Sequence, residues 1–334
     1  MINKIYDKVI NYIKENLLFL ISLIFIVFIF NFELPYNVET PGGFISLNDR
    51  IQVENSNKSS GDLGMAYVSM LKGNIPFILL SYINGDWDIV EKNKLTYDNE
   101  TIQEMNKREK LLLNEAIGSA MISSFKLANK PISIKEKQII VSYNDNEKSS
   151  LEVGDIVLSI NDKEVQSLKE IQDYLQTLNS NEIVKVKVRR NEIEEIKDVE
   201  LKEYNGLKKL GVTISNNYVL ESNPSVNINV KNNESGPSGG LMMALAIYDK
   251  ISNSNLTKGD KIIGTGTIDE DGNVGEIGGV KYKLIGAVRK KAKVFLCPKE
   301  NYEEALRVAK ERNYDIIIKD VATLNDAINY LKER

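Results

Sequence analysis

Hydrophobic and polar positions divide the chain into a very apolar start and a mixed remainder. Leu17–Phe30 reads LLFLISLIFIVFIF, and no charged residue occurs between Asn16 and Phe32. At about 1.5 Å per residue, a helix over this stretch would span roughly 25 Å, slightly less than a hydrocarbon core of about 30 Å. The pattern predicts a transmembrane signal anchor over residues 15–33, preceded by a cytoplasmic segment over residues 1–14.

Two further features set the expected fate and orientation of this anchor. The first alanine of the chain is Ala66, so the small residues of a signal-peptidase site are missing and the anchor is expected to stay attached. Lys4, Lys8 and Lys14 precede the apolar stretch, whereas only Arg50 follows it closely. Positive charge stays on the cytoplasmic side, so we expect a single-pass protein of the cell membrane that contacts the lipid bilayer through residues 15–33, with its remainder extracytoplasmic. The alternative is a buried core helix of a soluble protein.

Short apolar runs broken by glycine follow the anchor. The β-like runs are Phe44–Val53, Ala66–Leu71 and Ile75–Ile83. Ile102–Leu127 has few helix breakers and a helical spacing of apolar residues. We therefore expect residues 34–130 to form a β-rich membrane-proximal region that ends in a connecting helix.

Residues 131–203 show a more specific pattern. A strand over Gln138–Val141, a helix over Leu168–Leu178 and a strand over Ile183–Arg189 surround the run LEVGDIVLSIND, which starts at Leu151. This arrangement resembles a PDZ domain. The resemblance implies that an extended peptide or protein substrate can pair with an open sheet edge. The simpler alternative is a small β domain that acts as a spacer.

The last part, residues 204–334, alternates strands and helices. Leu241–Ile251 is apolar almost all round and predicts a buried helix. Lys261–Ile268 and Val274–Ile277 flank the hairpin turn DEDG. The other predicted elements are strands over Val226–Val230, Lys293–Cys297 and Ile316–Ile318 and helices over Lys281–Ala292, Asn301–Arg312 and Leu324–Leu331. The order is typical of an α/β enzyme domain.

Composition narrows the available chemistry. The chain has no histidine and one cysteine among 334 residues, which excludes Ser-His-Asp and Cys-His catalysis, HExxH zinc sites and intrachain disulfides. Its net charge of −4 argues against a nucleic-acid partner. No pattern points to a cofactor or a metal site. An activated nucleophile would need lysine, a carboxylate, tyrosine or the N-terminal amine as its base.

One serine stands where a nucleophile could work. Gly236-Pro237-Ser238-Gly239-Gly240 joins a predicted strand to the predicted buried helix. A helix N-terminus offers free N–H groups and favours negative charge, and glycines let a substrate backbone approach closely. This placement suits a nucleophile whose attack creates an oxyanion on the 237–240 turn. The simpler interpretation is that Ser238 caps the helix.

Two lysines could supply the base. Gly278-Gly279-Val280-Lys281-Tyr282-Lys283 lies at the start of an apolar helix, and Lys283 stands among Val280, Leu284 and Ala287. A general base must be neutral, and burial favours the neutral amine. The simpler interpretation is a pair of solvated surface charges.

Taken in order, these motifs resemble the proteolytic domain of the Lon family. The matching pieces are Gly236-Pro237-Ser238, Gly264-Thr265-Gly266 and the lysine motif that ends at Lys283. The resemblance implies that Ser238 is the nucleophile, that Lys283 is the general base and that Thr265 holds the lysine through its hydroxyl. Gly236, Pro237 and Gly239 would support the nucleophile. Gly239 stands where the family usually has alanine and Ser235 where classical Lon has aspartate, so the acidic member of the site is left unassigned.

The whole arrangement resembles the bacterial membrane-anchored, PDZ-containing Lon-like serine proteases. It implies a multidomain α+β protein with an N-terminal transmembrane helix, a β-rich membrane-proximal region, a PDZ domain and a Lon-type α/β proteolytic domain. No G-x-x-x-x-G-K-[ST] motif occurs in the sequence, so the expected activity is ATP-independent cleavage of extracytoplasmic peptides or proteins. Whether the chain forms a homo-oligomer is left open.

Two other functions compete with this one. The first is a non-enzymatic, membrane-anchored PDZ adaptor whose Lon-like domain is vestigial. The second is a small-molecule kinase-like domain, because a glycine-rich turn before a helix also binds phosphate. Neither requires a buried lysine at position 283.

Overall fold

A computed structural model of the chain describes residues 2–54, 56, 59–146 and 149–334. Its helices are α1 (Ile2–Glu15), α2 (Leu17–Asn31), α3 (Ile75–Ile83), α4 (Ile102–Leu127), α5 (Leu168–Gln176), α6 (Gly240–Ser252), α7 (Val280–Arg289), α8 (Tyr302–Glu311) and α9 (Leu324–Glu333). The strands before the serine motif are β1 (Glu33–Ser46), β2 (Ile51–Val53), β3 (Asp62–Asn74), β4 (Asp88–Glu91), β5 (Ile132–Asn144), β6 (Ile156–Ile160), β7 (Lys163–Glu164), β8 (Ile183–Arg190), β9 (Ile193–Glu200), β10 (Lys202–Tyr204), β11 (Leu207–Lys209), β12 (Val212–Ser222) and β13 (Val226–Ile228). Those after it are β14 (Lys261–Gly264), β15 (Thr267–Ile268), β16 (Val274–Gly275), β17 (Val294–Pro298) and β18 (Ile317–Val321).

The apolar start of the chain forms two helices with a break at Asn16. α2 has 15 residues, which corresponds to about 22 Å of helix. Within the described ranges, no helix is both long enough and apolar enough to cross a membrane. The single transmembrane helix predicted over residues 15–33 is therefore not found.

The chain divides into two compact units, which we describe separately. The first contains the chain up to Pro41 and Val68–Leu95, and the second contains Gly42–Tyr67 and Thr96–Arg334. In the first unit, β4 pairs with β1 in an antiparallel register that places Glu91 opposite Tyr36. The predicted membrane-proximal region over residues 34–130 is thus shared between two units.

The prediction of a strand over Ile75–Ile83 is wrong, because these residues form α3. Pro76 lies in the first turn, where its missing N–H is not needed and its fixed φ suits a helix. A short, continuously apolar run has no period that distinguishes strand from helix. The proline was the signal that would have decided between them.

A mostly parallel sheet forms the centre of the second unit. β14 pairs in parallel with β17 and with β3, and β17 pairs in parallel with β18. Consecutive residues of β14 face opposite sides: Ile262 packs with α6 and α4, whereas Ile263 packs with α7 and α8. Both faces are covered, which is the normal condition of a parallel sheet. The predicted buried helix is confirmed in α6, whose residues from Gly240 to Asp249 are all buried.

A separate antiparallel sheet is inserted between α4 and β13. Its strand order is β12-β5-β6-β8-β9. The helix α5 packs on this sheet and shares a hydrophobic core with it. The insertion runs further than the boundary predicted at residue 203, because β12 pairs with β5 along its whole length, from Val212 opposite Asn144 to Ser222 opposite Ile132. The chain then returns to the first core through β13, which pairs with β2.

Candidate active site

The segment Gly236–Gly240, which we call the serine loop, enters α6. The backbone N–H of Gly236 donates to the carbonyl of Glu109, with a donor–acceptor distance of 3.0 Å, and its φ is +86°, which glycine adopts without strain. Ser238 is half-buried and lies two residues before the first residue of α6. The N-cap residue is Gly239 and no side chain caps the helix. Helix capping therefore does not account for a serine at position 238.

Close packing explains the glycines that follow Ser238. A Cβ built at Gly239 would lie 2.5 Å from Sδ of Met65, and one at Gly240 would lie 2.8 Å from Cγ2 of Ile268. Alanine at position 239 would require the Met65 side chain to move. The presence of glycine instead of the expected alanine at position 239 is therefore explained by the contact with Met65.

Thr265 and Gly266 hold the serine loop through hydrogen bonds to one carbonyl. The hydroxyl of Thr265 donates to the carbonyl oxygen of Ser238 at 3.0 Å, and the N–H of Gly266 donates to the same oxygen at 2.8 Å. Thr265 is fully buried, and its own N–H donates to the carbonyl of Leu296 on β17. The hydroxyl has one hydrogen, so any further hydrogen bond to Thr265 Oγ1 must be one that it accepts.

This arrangement fixes the direction of one peptide plane. In a trans peptide the C=O of one residue and the N–H of the next point in opposite directions. Since the carbonyl of Ser238 points to Thr265 and Gly266, the N–H of Gly239 points away from them. The described hydrogen bonds include no acceptor for the N–H groups of Ser238 and Gly239, whereas the N–H of Gly240 donates to Pro237. The oxyanion donors expected on the 237–240 turn therefore reduce to Ser238 and Gly239, because Pro237 has no N–H.

The two lysines of α7 have different environments. Lys283 is only 4% exposed, whereas Lys281 is half-buried and its Nζ lies 5.2 Å from the centre of the Tyr282 ring. Gly279 is the N-cap residue before α7, with a φ of +68°, and α7 packs against β14, the strand that leads into Thr265. The structure thus places the buried lysine and the serine loop on elements that flank the end of β14.

A cleft of about 420 Å³ adjoins the serine loop at Pro237. We call it the acidic cleft. Its walls come from α4, β12 and the β15–β16 hairpin: Leu112, Glu115, Ala116, Ser119, Asn216, Tyr218, Thr267, Ile268, Asp269, Glu270 and Asp271. Its position makes it the candidate place for a substrate side chain.

Glu115 is a carboxylate of the acidic cleft that is held by an amide. Its Oε1 accepts from the backbone N–H of Asn216 at 3.0 Å and from Nδ2 of Asn216 at 2.9 Å. Burial raises the pKa of Glu115, and the hydrogen bonds from Asn216 oppose this only in part. No cation lies within ion-pair distance of Glu115 among the residues that the structure describes.

Glu270 is held by two polar partners. The Tyr218 hydroxyl donates to Glu270 Oε1 at 2.6 Å, and Lys137 Nζ forms an ion pair with the same oxygen at 2.8 Å. Burial alone would raise the pKa of Glu270, but the bonds from Lys137 and Tyr218 outweigh burial and lower it. Burial and the bond to Glu270 raise the pKa of the Tyr218 phenol.

The hairpin that carries Glu270 is held together by Asp269. The carboxylate of Asp269 accepts from the backbone N–H groups of Asp271 and Asn273 at 2.9 and 2.8 Å, which closes the predicted turn. In the described part of the chain, no group of three or more acidic or cysteine side chains could hold a metal ion. Cys297 is buried, and burial raises the pKa of its thiol to about 12.

Sequence reasoning found the serine loop but missed the acidic cleft. Glu115 stands beside the small residues of α4, and Glu270 was recognised only as part of a turn. No short motif links α4, β12 and the hairpin, since they are separated by roughly 50 to 150 positions.

Comparison with known proteins agrees with both expected domains. Residues 225–333 match the family described as Lon protease (S16) C-terminal proteolytic domain, and residues 147–190 match the PDZ domain family. The chain therefore carries a Lon-type proteolytic domain, which is that of a serine peptidase, and a PDZ domain. Both predicted resemblances are confirmed at the level of these domains.

The individual relatives cover limited parts of the chain. Lon protease of Campylobacter jejuni is 38% identical over 96 residues, which are 28% of this chain and 12% of the relative. The peroxisomal Lon protease homolog 2 of Caenorhabditis elegans is 31% identical over 102 residues, which are 30% of this chain and 13% of the relative. The chain thus spans about an eighth of the length of these relatives.

Solved structures also show similarity to part of the chain. The PDZ domain of the SdrC-like protein from Listeria monocytogenes is 20% identical, covers 25% of this chain and 92% of its own, and gives a TM-score of 0.23.

Proposed function

We propose that the protein is an ATP-independent serine endopeptidase that uses Ser238 as nucleophile and Lys283 as general base. The observation that carries the proposal is a half-buried serine outside any helix cap, on a loop whose carbonyl is fixed by Thr265, within a domain of the Lon proteolytic family. The buried Lys283 flanks the same strand end.

The chemistry proceeds in two halves. Lys283 accepts the proton of Ser238 Oγ as this oxygen attacks the scissile carbonyl, and the N–H groups of Ser238 and Gly239 stabilise the oxyanion. Lys283 then gives the proton to the leaving amine. A water molecule, deprotonated by the same lysine, releases the acyl group from Ser238.

A lysine can serve as base only while it is neutral. Removal of a lysine side chain from water disfavours its charged form, which is the physical reason to choose Lys283 over the more exposed Lys281. The Lon resemblance implies that Thr265 also accepts a hydrogen bond from the Lys283 amine while its hydroxyl donates to Ser238, so that one buried hydroxyl would position both catalytic groups.

The inserted PDZ domain recruits an extended segment of a peptide or protein substrate by strand addition. Since Asn144 and Val212 face each other across the β5–β12 ladder, residues 145–211 can be replaced by an Asn-Gly turn that keeps this hairpin. We expect this variant to cleave short peptides as before and protein substrates more slowly, because tethering raises the local substrate concentration. Unchanged cleavage of every substrate would remove the recruiting role.

The protein is attached to the lipid bilayer of the cell membrane through residues 15–33, with the N-terminus cytoplasmic and the proteolytic domain outside. The lysine asymmetry and the exposed apolar side chains of α2 support this location. Protease added to sealed spheroplasts should digest the Lon-type domain from outside, and protection of that domain until the cells are lysed would contradict this location.

The central test uses the full chain in detergent with unfolded casein and no nucleotide. Wild-type protein should release peptides, and Ser238→Ala should release none. If neither cleaves but both still bind an extended peptide through the PDZ domain, the chain is an adaptor rather than an enzyme.

A further inference from the structure

α3 presents an unusual surface in the first unit. Its nine residues, IPFILLSYI, include no charged side chain. Leu79, Leu80, Tyr82 and Ile83 are 60%, 45%, 78% and 83% exposed, whereas Ser81 is buried. At 3.6 residues per turn, the four exposed residues fall within about 160° of the helix circumference and Ser81 lies on the opposite side, so they share one broad face of the helix.

This face continues an apolar surface on α2 of the same unit. None of the residues of α2 is buried. The side-chain amide of Asn74, at the start of α3, donates to the carbonyl of Phe30 in the last turn of α2, and the two helices pack against each other. Whatever covers the end of α2 therefore also reaches α3.

α6 shows what the chain does with an apolar helix that protein covers. Eleven of its 13 residues are buried, and its side chains include the small residues Gly240, Ala244 and Ala246. α2 and α3 instead carry large Leu, Ile, Phe and Tyr side chains with no packed core around them. Two large exposed apolar surfaces side by side indicate an interaction site rather than scattered surface residues.

The surroundings of α3 indicate a bilayer as the covering partner. Lys72 and Lys92 both pair with Glu33, just after α2, while Tyr82 lies in the last turn of α3 and Trp87 lies four residues beyond its end. Basic and aromatic side chains of this kind are typical of the membrane–water interface. An interfacial helix lies with its apolar face about 5–10 Å into the headgroup and acyl boundary.

We propose that α3 lies in the interfacial layer of the bilayer, beside the C-terminal end of α2, with Leu79, Leu80 and Ile83 in the acyl region and Tyr82 at the headgroup level. This inference rests on the membrane attachment proposed above. α2 is about 8 Å shorter than a hydrocarbon core. A second apolar element at its end places the start of the extracytoplasmic chain flat on the membrane surface.

Site-directed fluorescence in the full chain tests the proposal. A maleimide of an environment-sensitive dye labels three single-cysteine variants: Phe25→Cys in α2, Ile83→Cys in α3 and the control Ile193→Cys in β9. The native Cys297 is buried, and labelling of the wild-type chain measures how much dye it takes up. The proteins are reconstituted into phosphatidylcholine vesicles that carry a nitroxide at a shallow or a deep acyl position. We expect strong quenching at positions 25 and 83, with position 83 quenched best by the shallow nitroxide, and no quenching at position 193, which is also exposed but lies on the PDZ sheet.

The outcomes separate the two proposals. Quenching at position 25 without quenching at position 83 overturns the role of α3 and leaves the membrane attachment standing. Absence of quenching at both positions overturns both. A blue-shifted dye at position 83 that lipids do not quench, together with crosslinks between chains, shows that a second copy covers α3 and also overturns the proposal. Trp87, the single tryptophan, gives a label-free check on the unmodified chain, because brominated lipids should quench it.

Discussion

The serine loop and the acidic cleft adjoin each other at Pro237 but are built in different ways. The serine loop depends on backbone: glycines at positions 236, 239 and 240, one carbonyl held by Thr265 and Gly266, and two N–H groups for which the described hydrogen bonds include no acceptor. The acidic cleft depends on side chains from α4, β12 and a hairpin. A site made of backbone accepts any peptide, since every peptide has the same main chain, whereas a pocket of carboxylates and an amide discriminates between side chains. We therefore expect changes in the loop to act on the rate of chemistry and changes in the cleft to act on substrate choice or stability.

The largest effect should come from the two proposed catalytic side chains. Ser238→Ala and Lys283→Ala should each abolish cleavage of casein, and the double variant should be no worse than either, because both remove the same activated nucleophile. Lys283→Arg should fail as well, since a guanidinium cannot deprotonate in this pH range. Initial rates of peptide release measure all four variants.

Lys281→Ala is the matched control, because it removes the neighbouring lysine that is half-buried. It should keep most of the activity. An inactive Lys281→Ala beside an active Lys283→Arg would move the base to position 281. Normal cleavage by Ser238→Ala would end the assignment of the nucleophile and with it the contrast between loop and cleft.

A smaller loss should follow when the serine loop loses its support. Thr265→Val keeps the shape of a fully buried side chain but removes the donor to the Ser238 carbonyl and the acceptor proposed for the Lys283 amine. The N–H of Gly239 is then less well aimed, and we expect kcat to fall roughly 10- to 100-fold, less than the loss of a whole oxyanion donor. KM should change little. Thr265→Ser keeps the hydroxyl and should recover most of kcat; if it is as slow as Thr265→Val, packing rather than the hydrogen bond explains the loss.

Substitution at Glu115 should change substrate preference by only a few fold. An ionised Glu115 in the acidic cleft favours a lysine or arginine side chain near the scissile bond, so Glu115→Gln should reduce kcat/KM for such peptides and leave neutral peptides unaffected. Burial raises the pKa of Glu115 above its usual value of 4.5, so this preference should grow as pH rises through the raised value and disappear below it. Peptide pairs that differ only by Lys against norleucine, assayed between pH 5 and 8, measure the effect. A preference that is equal in both proteins at every pH would exclude Glu115 from recognition.

The serine loop could be predicted from the sequence, whereas the acidic cleft could not. The serine loop, the Gly-Thr-Gly turn and the lysine helix are each contiguous, so their chemistry is visible in a few neighbouring letters. Helices such as α4 and α6 were also predictable, because their spacing or length is decisive. The placement of β3 in the central sheet was not, since pairing between residues around 63 and 262 leaves no local signal. Neither was the acidic cleft, which exists only because an inserted sheet brings Asn216 and Tyr218 back to α4.

The smallest effect should come from Tyr218, which joins the inserted sheet to the hairpin. Tyr218→Phe removes the hydrogen bond to Glu270 but leaves the ion pair of Glu270 with Lys137. The free energy of unfolding should therefore fall by about 1 kcal/mol, with little change in kcat.

The lowered pKa of Glu270 means that ionised Glu270 stabilises the fold above its usual pKa of 4.5 and that this contribution is lost as pH falls through the lowered value. The difference between wild type and Tyr218→Phe in urea unfolding should therefore be present at pH 7 and shrink in acid. Lys137→Met is the matched control, because it removes the other partner of the same oxygen and should show the same pH trend. A large fall in kcat for Tyr218→Phe at unchanged stability would instead place Tyr218 in the chemistry, and the division between a loop for catalysis and a cleft for recognition would no longer hold.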